Sequence, residues 1–367
     1  MSHIAIDARI INSSTGTYIE RLLHYLEQVD TVNSYTVIVP SKDLNFWQPK
    51  NPNFSVVAGD FPNYSFAEQT KFKKFLDELA PDLVHFCMPQ QPIRYKGKTV
   101  TTFHDLSLLR VYNSDKNWLV YHAKQLVGRY VFKRVAKQTN RIITPTDFVK
   151  QDVAVNLKVP LDKITRTYEA ADITIEATTP YTHPFKKYLL YVGQQSDYKN
   201  IPRLAAAHQK LLETHPDLGL ILVGKLNAGA RANKELFEKN DYKNIVFTDF
   251  IPNSQRDWLY QHAEAYIFPS LTEGFGLPGL EAMGYGAPVI SSDATCLPEV
   301  YGDAAQYFNP LDIDNIATSI DTVISDETLQ KELARKGYFK IKEYSWKRMA
   351  EQTLQVYNEV LTNSPEK

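Results

Sequence analysis

Cysteine is nearly absent from this sequence, with Cys87 and Cys296 the only two in 367 residues. They lie far apart and fit no metal-ligand spacing, so the expectation is two free, mostly buried thiols. Long apolar runs are missing as well. No stretch approaches the roughly 20 residues that a bilayer-spanning helix needs. The amino terminus, MSHIAIDARI, lacks the basic and then apolar organisation of a signal peptide and goes straight into a strand, so a cytoplasmic protein is expected. Net charge is also lacking, at −1. Its division into a mildly basic first half and a mildly acidic second half is too weak to argue for nucleic acid. It permits a basic face that meets an anionic acceptor or the inner face of a membrane. Finally, no GxGxxG follows the first strand. The loop there carries a single Gly16, which argues against a dinucleotide-dependent dehydrogenase.

What is present reads as two α/β domains of ordinary size. Residues 4–7, 35–40, 54–58, 83–86 and 99–102 read as strands. Helical patterns at 17–29, where Thr17 is the candidate cap, and at 70–79 alternate with them, which argues for a doubly wound parallel sheet. Residues 117–141 read as a long helix with Leu119, Ala123, Leu126 and Tyr130 along one stripe. Lys124, Arg129, Lys133, Arg134, Lys137 and Arg141 make it basic, as a surface for anionic lipid or simply as cations suited to the helix carboxyl end. Thr146 opens the next helix. Residues 178–187, TTPYTHPFKK, lose periodicity and mark a linker, after which 188–192 and 220–223 read as strands and 260–265 as a helix of a second domain.

The most informative stretch is 264–290, EAYIFPSLTEGFGLPGLEAMGYGAPVI. An apolar strand ends near Pro269, a glycine-containing loop follows, and Pro278 suits the first position of a helix whose first turn also carries Glu281. The helix start offers N–H groups and the positive end of its dipole to a phosphate. Glu273 and Glu281 flank that place. This segment resembles the E-x7-E signature of the retaining GT-B glycosyltransferases of family GT4. The resemblance implies two Rossmann-like domains with an interdomain cleft. It places an acceptor-side domain at 1–182, a nucleotide-sugar domain at 183–345 and a helix at 346–367 that crosses back to the first domain.

The same resemblance supplies roles. Glu273 and the backbone of Gly274, Phe275, Gly276 and Leu277 would contact the donor sugar, and Glu281 the ribose. Gly193 and Lys199, in GQQSDYKN, match the family's diphosphate grip, although Gln194 stands where an arginine is usual. Ile251 is a candidate base contact. Gly16 matches the family's glycine loop only loosely and reads equally well as a turn glycine. His104, in KTVTTFHDLSLL, would lie beside the donor sugar as a neutral imidazole, or else merely tie the strand end to a backbone group. Asp312-Ile313-Asp314 has the look of a metal motif, but it begins a helical pattern where aspartates cap. No metal and no cofactor beyond the donor are expected.

The expectation is therefore a retaining hexosyltransferase. GDP-mannose is the first donor, UDP- and dTDP-sugars come next, and the acceptor is a glycan or lipid-linked glycan. Residues 117–141 are a candidate membrane contact. His104, Glu273 and Lys199 would be its catalytic groups. The alternatives are a GT-B phosphorylase, a sugar-nucleotide epimerase, or a non-catalytic nucleotide-sugar-binding partner of another transferase.

Overall fold

The computed structural model describes residues 1–13, 15–109, 118–173 and 177–362, with the side chains of 118–124 outside the description. The described residues form two units. One draws on described residues within 1–109, 118–169 and 345–362, the other on those within 170–344.

In the first unit, β1 (His3–Asp7), β2 (Ser34–Val39), β3 (Phe54–Ala58), β4 (Leu83–Phe86), β5 (Thr99–Thr102), β6 (Arg141–Thr144) and β7 (Ile164–Arg166) form one parallel sheet. The order is β3-β2-β1-β4-β5-β6-β7. Ile4, Ile6, Val37, Val84, Val100 and Ile142 are fully buried, as a parallel sheet covered on both faces requires. The helices are α1 (Gly16–Val29), α2 (Lys73–Leu79), α3 (Trp118–Gln138) and α4 (Asp147–Leu157).

Three local expectations need correction. Thr17 does not cap α1. It lies inside the helix, whose N-cap is Thr15 without a side-chain cap bond. Gly16 is needed there because a Cβ would run into the carbonyl oxygen of Ile11. Arg141 is the first residue of β6 and does not belong to the long helix. Of the apolar stripe on α3, Leu126 and Tyr130 are turned outward, 69% and 61% exposed, and so do not serve the core. Phe132, Val135 and Ala136 instead pack with Phe103, Ile142, Val149 and Val153, so the helix is rotated by what its last turns bury. Asn117 lies outside the described residues, as do the side chains of Leu119, Ala123 and Lys124. Thr146 does cap α4, accepting from Val149 N at 3.2 Å.

The stretch before α2 is wound as a wider π-type turn, Glu68–Phe72. Glu68 meets Arg9 there. The Arg9 guanidinium donates to Asp7 Oδ1 and Oδ2, both at 2.8 Å, to Glu68 Oε1 at 3.0 Å and to the carbonyls of Phe61 (2.5 Å) and Gln90 (3.3 Å). Its flat face lies 4.1 Å from the centre of the Phe72 ring.

In the second unit, β8 (Lys187–Val192), β9 (Leu218–Val223), β10 (Ile245–Phe247), β11 (Ala265–Phe268), β12 (Val289–Ser292) and β13 (Ala305–Phe308) form another parallel sheet, ordered β10-β9-β8-β11-β12-β13. Its helices are α5 (Ile201–Leu211), α6 (Ala228–Lys239), α7 (Asn253–His262), α8 (Leu277–Gly284), α9 (Leu297–Tyr301), α10 (Ile313–Ile324) and α11 (Glu327–Lys340). The last helix, α12 (Trp346–Thr362), returns to the first unit and packs on α1 and over β4, β5 and β6. The strand order reverses between β1 and β4 in one sheet and between β8 and β11 in the other. Open α/β sheets bind ligands at the carboxyl ends of their strands beside such points.

Candidate functional site

The loop between β11 and α8 lies at the second sheet's reversal point. Gly276 is the N-cap of α8 with φ 102°, a left-handed conformation, and brings no side chain to the first-turn N–H groups. Pro278 sits in the first turn, where a missing N–H costs least. Beneath the loop, Tyr301 Oη donates to the Gly276 carbonyl at 2.6 Å. The neighbouring residues hold the rest. Thr295 Oγ1 accepts from Glu273 N at 3.0 Å and donates to Glu273 O at 3.2 Å, and the Cys296 thiol faces the Glu273 and Phe275 carbonyls at 3.3 and 3.5 Å. The Phe275 side chain is buried edge-on against Tyr344. Loop geometry therefore depends on the segment after β12.

Lys199 reaches this loop from the opposite side of the reversal point. It follows β8 on a tight turn, Asp197–Lys199, that Asn200 closes at φ 60°. The buried Asn200 amide donates to the carbonyls of Pro269 (3.1 Å) and Pro310 (2.8 Å), and Leu271 N donates to Tyr198 O at 2.8 Å. These bonds bring the turn against the end of β11, so Lys199 Nζ lies 2.6 Å from Glu273 Oε1. Both side chains are nearly buried, at 13% and 12% exposure. Burial alone pulls the ammonium's pKa down, but the Glu273 charge and hydrogen bond together with Tyr191 and Tyr198 more than reverse that and leave it above the ordinary lysine value. The Tyr198 and Phe268 rings face the same ammonium at 5.0 and 5.3 Å.

Glu281 is the fifth residue of α8 and so opens its second turn, not its first as the sequence suggested. Its carboxylate accepts from Tyr260 Oη at 3.4 Å, and Arg256, held by Asp257 at 2.7 Å, is near enough to act on it electrostatically. Burial raises the Glu281 pKa above the usual carboxylate range, Arg256 opposes the rise and Asp257 adds to it. The preceding helix, α7, spans Asn253–His262 and does not extend over 260–265 as expected.

Gly193 and Gly224, both at φ 150°, end β8 and β9 so close together that a Cβ on Gly224 would strike the Gly193 carbonyl. Gln194 is exposed, and its own carbonyl accepts from Tyr191 Oη at 2.9 Å. Ile251 is half-buried on the loop after β10, two strands over from β8. Asp312 caps α10, accepting from Asp314 N at 2.9 Å and Asn315 N at 3.1 Å.

In the first unit Gly16 starts α1, and His104 stands just beyond β5. The expected tie of His104 to a backbone group is present, with Nε2 at 3.0 Å from the Cys87 carbonyl. Its Nδ1 faces Glu169 Oε1 at 3.4 Å, and the Tyr18 ring meets it edge-on with centroids 4.7 Å apart. Tyr18 Oη bonds Thr102 Oγ1, which bonds His85 Nε2, whose Nδ1 bonds Tyr357 Oη on α12. Burial first, and His104 second, hold the His85 pKa down to about 3. Cys87 and Cys296 are both free and buried.

Sequence reasoning missed Thr295, Cys296 and Tyr301 as supports of the loop, and Glu169 as the partner of His104. The LPEV run at 297–300, which adjoins the first group, is the signal that could have found it. Nothing local singled out Glu169.

Two family models match, one described as glycosyl transferases group 1 over residues 182–340 and the other as Glycosyltransferase Family 4 over residues 15–174. The O-antigen chain mannosyltransferase B of Escherichia coli is 31% identical over 274 residues, covering 71% of this chain and 70% of that protein. The serotype-specific mannosyltransferase WbdA of Escherichia coli is 26% identical over 284 residues, 73% of this chain but only 34% of its own, so the chain spans about a third of that relative. Among solved structures, the sucrose-phosphate synthase of Thermosynechococcus elongatus superposes with a TM-score of 0.78 at 17% identity, over 99% of this chain and 100% of that one. The HepE protein of Anabaena, solved with UDP and glucose, superposes with a TM-score of 0.71 at 15% identity over 98% and 99%.

Proposed function

The chain belongs to the family 4 glycosyltransferases, and from that premise we propose that it moves a mannose from a nucleotide-diphosphate sugar to a glycan or lipid-linked acceptor, with retention at the anomeric carbon. GDP-mannose is the proposed donor, on the strength of the mannosyltransferase relatives. The observation that carries the reading is the Lys199–Glu273 pair at 2.6 Å, set beside the head of α8.

Breaking the bond from the anomeric carbon to the diphosphate leaves negative charge on the phosphate and positive charge on the sugar. Lys199 and the first-turn N–H groups of α8 receive the former. Glu273 and His104 orient the sugar, and Glu281 takes the ribose hydroxyls. The acceptor oxygen bonds to the anomeric carbon on the face the leaving group departs from, and its proton passes to a donor phosphate oxygen. The charges assigned to Lys199 and α8 leave no step for a metal, so full activity in EDTA is the expected outcome. A thermal-shift panel of GDP, UDP and dTDP, followed by transfer from the stabilising donor, tests the proposal. No shift with any nucleotide and no transfer or donor hydrolysis would sink it.

Gln194 favours a second reading, a nucleotide-sugar-binding protein without turnover, because it removes a cation from the diphosphate's surroundings. Nucleotide binding with no transfer to any acceptor would select that reading.

The acceptor side is assigned to α3, where exposed Leu126, Val127 and Tyr130 stand among exposed Arg129, Lys133, Arg134 and Lys137. Such a face suits an anionic lipid surface. No helix among the described residues is long and apolar enough to cross a membrane. Co-sedimentation with anionic but not neutral vesicles is expected, and loss of it in Lys133→Glu with Lys137→Glu checks the assignment.

A further inference from the structure

His104 does not stand alone at the end of β5. Glu169 lies far along the chain from it, is 7% exposed at its side chain, and presents Oε1 to His104 Nδ1 at 3.4 Å. A carboxylate this deeply buried is costly unless a donor answers it, and His104 Nδ1 stands opposite it at ion-pair distance. The ring's other nitrogen, Nε2, faces the carbonyl of Cys87 at 3.0 Å. A carbonyl oxygen and an ionised carboxylate both only accept, so a ring with a hydrogen on each nitrogen answers both. Tyr18 closes the third side. The titratable groups facing the ring are thus Glu169 on the segment after β7, Tyr18 on α1, and His85 and Cys87 at the end of β4. Burial raises the pKa values of Tyr18 and Cys87 and lowers that of His85, which keeps all three uncharged.

We propose that Glu169 is a positioning residue for the transfer reaction: its carboxylate faces the Nδ1–H of His104 and, with the Cys87 carbonyl on Nε2–H, fixes the plane of the ring that flanks the donor sugar. The carboxylate also balances the imidazolium, so the pair adds no net positive charge where the sugar becomes cationic. This rests on the assignment of His104 to the donor sugar made above.

The test compares wild type with Glu169→Gln, Glu169→Ala, His104→Ala and the Glu169→Gln/His104→Ala double variant, all checked for folding by thermal melting. Glu169→Gln is expected to lower kcat about 10- to 100-fold, as loss of orientation does, while donor KM stays within about twofold. It should cost nothing further in the His104→Ala background. In ¹⁵N-resolved ring spectra the His104 Nδ1 signal should shift in Glu169→Gln, a readout that needs no turnover. Wild-type kcat in Glu169→Gln, or fully additive losses in the double variant, would overturn the proposal. So would an unmoved Nδ1 signal. Absence of transfer by wild type with every nucleotide sugar would instead overturn the functional reading, and with it any part for Glu169 in the reaction, while the ring spectra still decide the pairing. If Glu169→Ala melts far below wild type, the conservative Gln variant carries the comparison.

Discussion

Two buried cations stand at the carboxyl ends of the two sheets, and they are held very differently. Arg9, after β1, spends its donors on Asp7, Glu68 and two carbonyls and lies on the Phe72 ring. Lys199, after β8, is an ammonium with three donors, and Glu273 is the one hydrogen-bond acceptor its side chain has among the described residues. A guanidinium answered by two carboxylates and two carbonyls of its own protein is structural. An ammonium that keeps donors beside a helix start has capacity left for a phosphate. Position in the fold therefore does not separate structure from function here. The number of bonds still to be made does.

Replacing Arg9 gives the sharpest test of this contrast. Arg9→Met strands the buried Asp7 and Glu68 carboxylates and should cost about 3–5 kcal/mol of stability, read by urea unfolding, while nucleotide affinity of whatever remains folded is unchanged. Lys199→Met should do the reverse. Its transfer rate should fall about 100-fold or more, with a smaller loss in melting temperature than Arg9→Met shows. Equal stability losses in the two would break the comparison.

Gly276→Ala comes next, with a loss of about 1–3 kcal/mol because alanine must hold a left-handed φ of 102° above the Tyr301 hydroxyl. Calorimetric titration should show weaker nucleotide binding alongside it. The smallest effect concerns Glu281. Its pKa is raised on folding, so the folded state holds that proton more tightly and stability falls as pH rises from the ordinary carboxylate value through the raised one. Glu281→Gln should therefore raise the melting temperature at neutral pH, a gain that vanishes in acid, while nucleotide affinity falls. A variant that is both less stable at neutral pH and unchanged in affinity would contradict the assignment.

Much of this was legible in the chain. β3, β4 and β5 have the expected boundaries because β-branched and apolar runs between polar turns leave little choice of register. The Gly276 and Pro278 pair marks the start of α8 by backbone chemistry that depends only on neighbours. The family resemblance assigned Lys199 and Glu273 to one site, but nothing in the sequence foretold that the two side chains pair across 74 residues. What stayed hidden depends on distant packing. Leu126 and Tyr130 lie on one apolar stripe, and its facing is set only when Phe132, Val135 and Ala136 fix the rotation of α3. Glu169 looks like any surface acid until the fold sets it against His104. The start of α1 was misjudged by two residues because Thr15 caps by position and Gly16 by fit, neither of which a threonine-centred reading can see.

The phenol of Tyr301 lies under both Gly276 and Gly279, and a methyl group added at either would collide with it. These three positions are therefore bound to a shared evolutionary fate. A lineage that enlarges Gly279 must first shrink the ring at 301, and one that loses the ring frees Gly279 but leaves Gly276 held by its left-handed backbone. Substitutions there should arrive in pairs, with the single steps between them surviving only where the loop has given up its ligand.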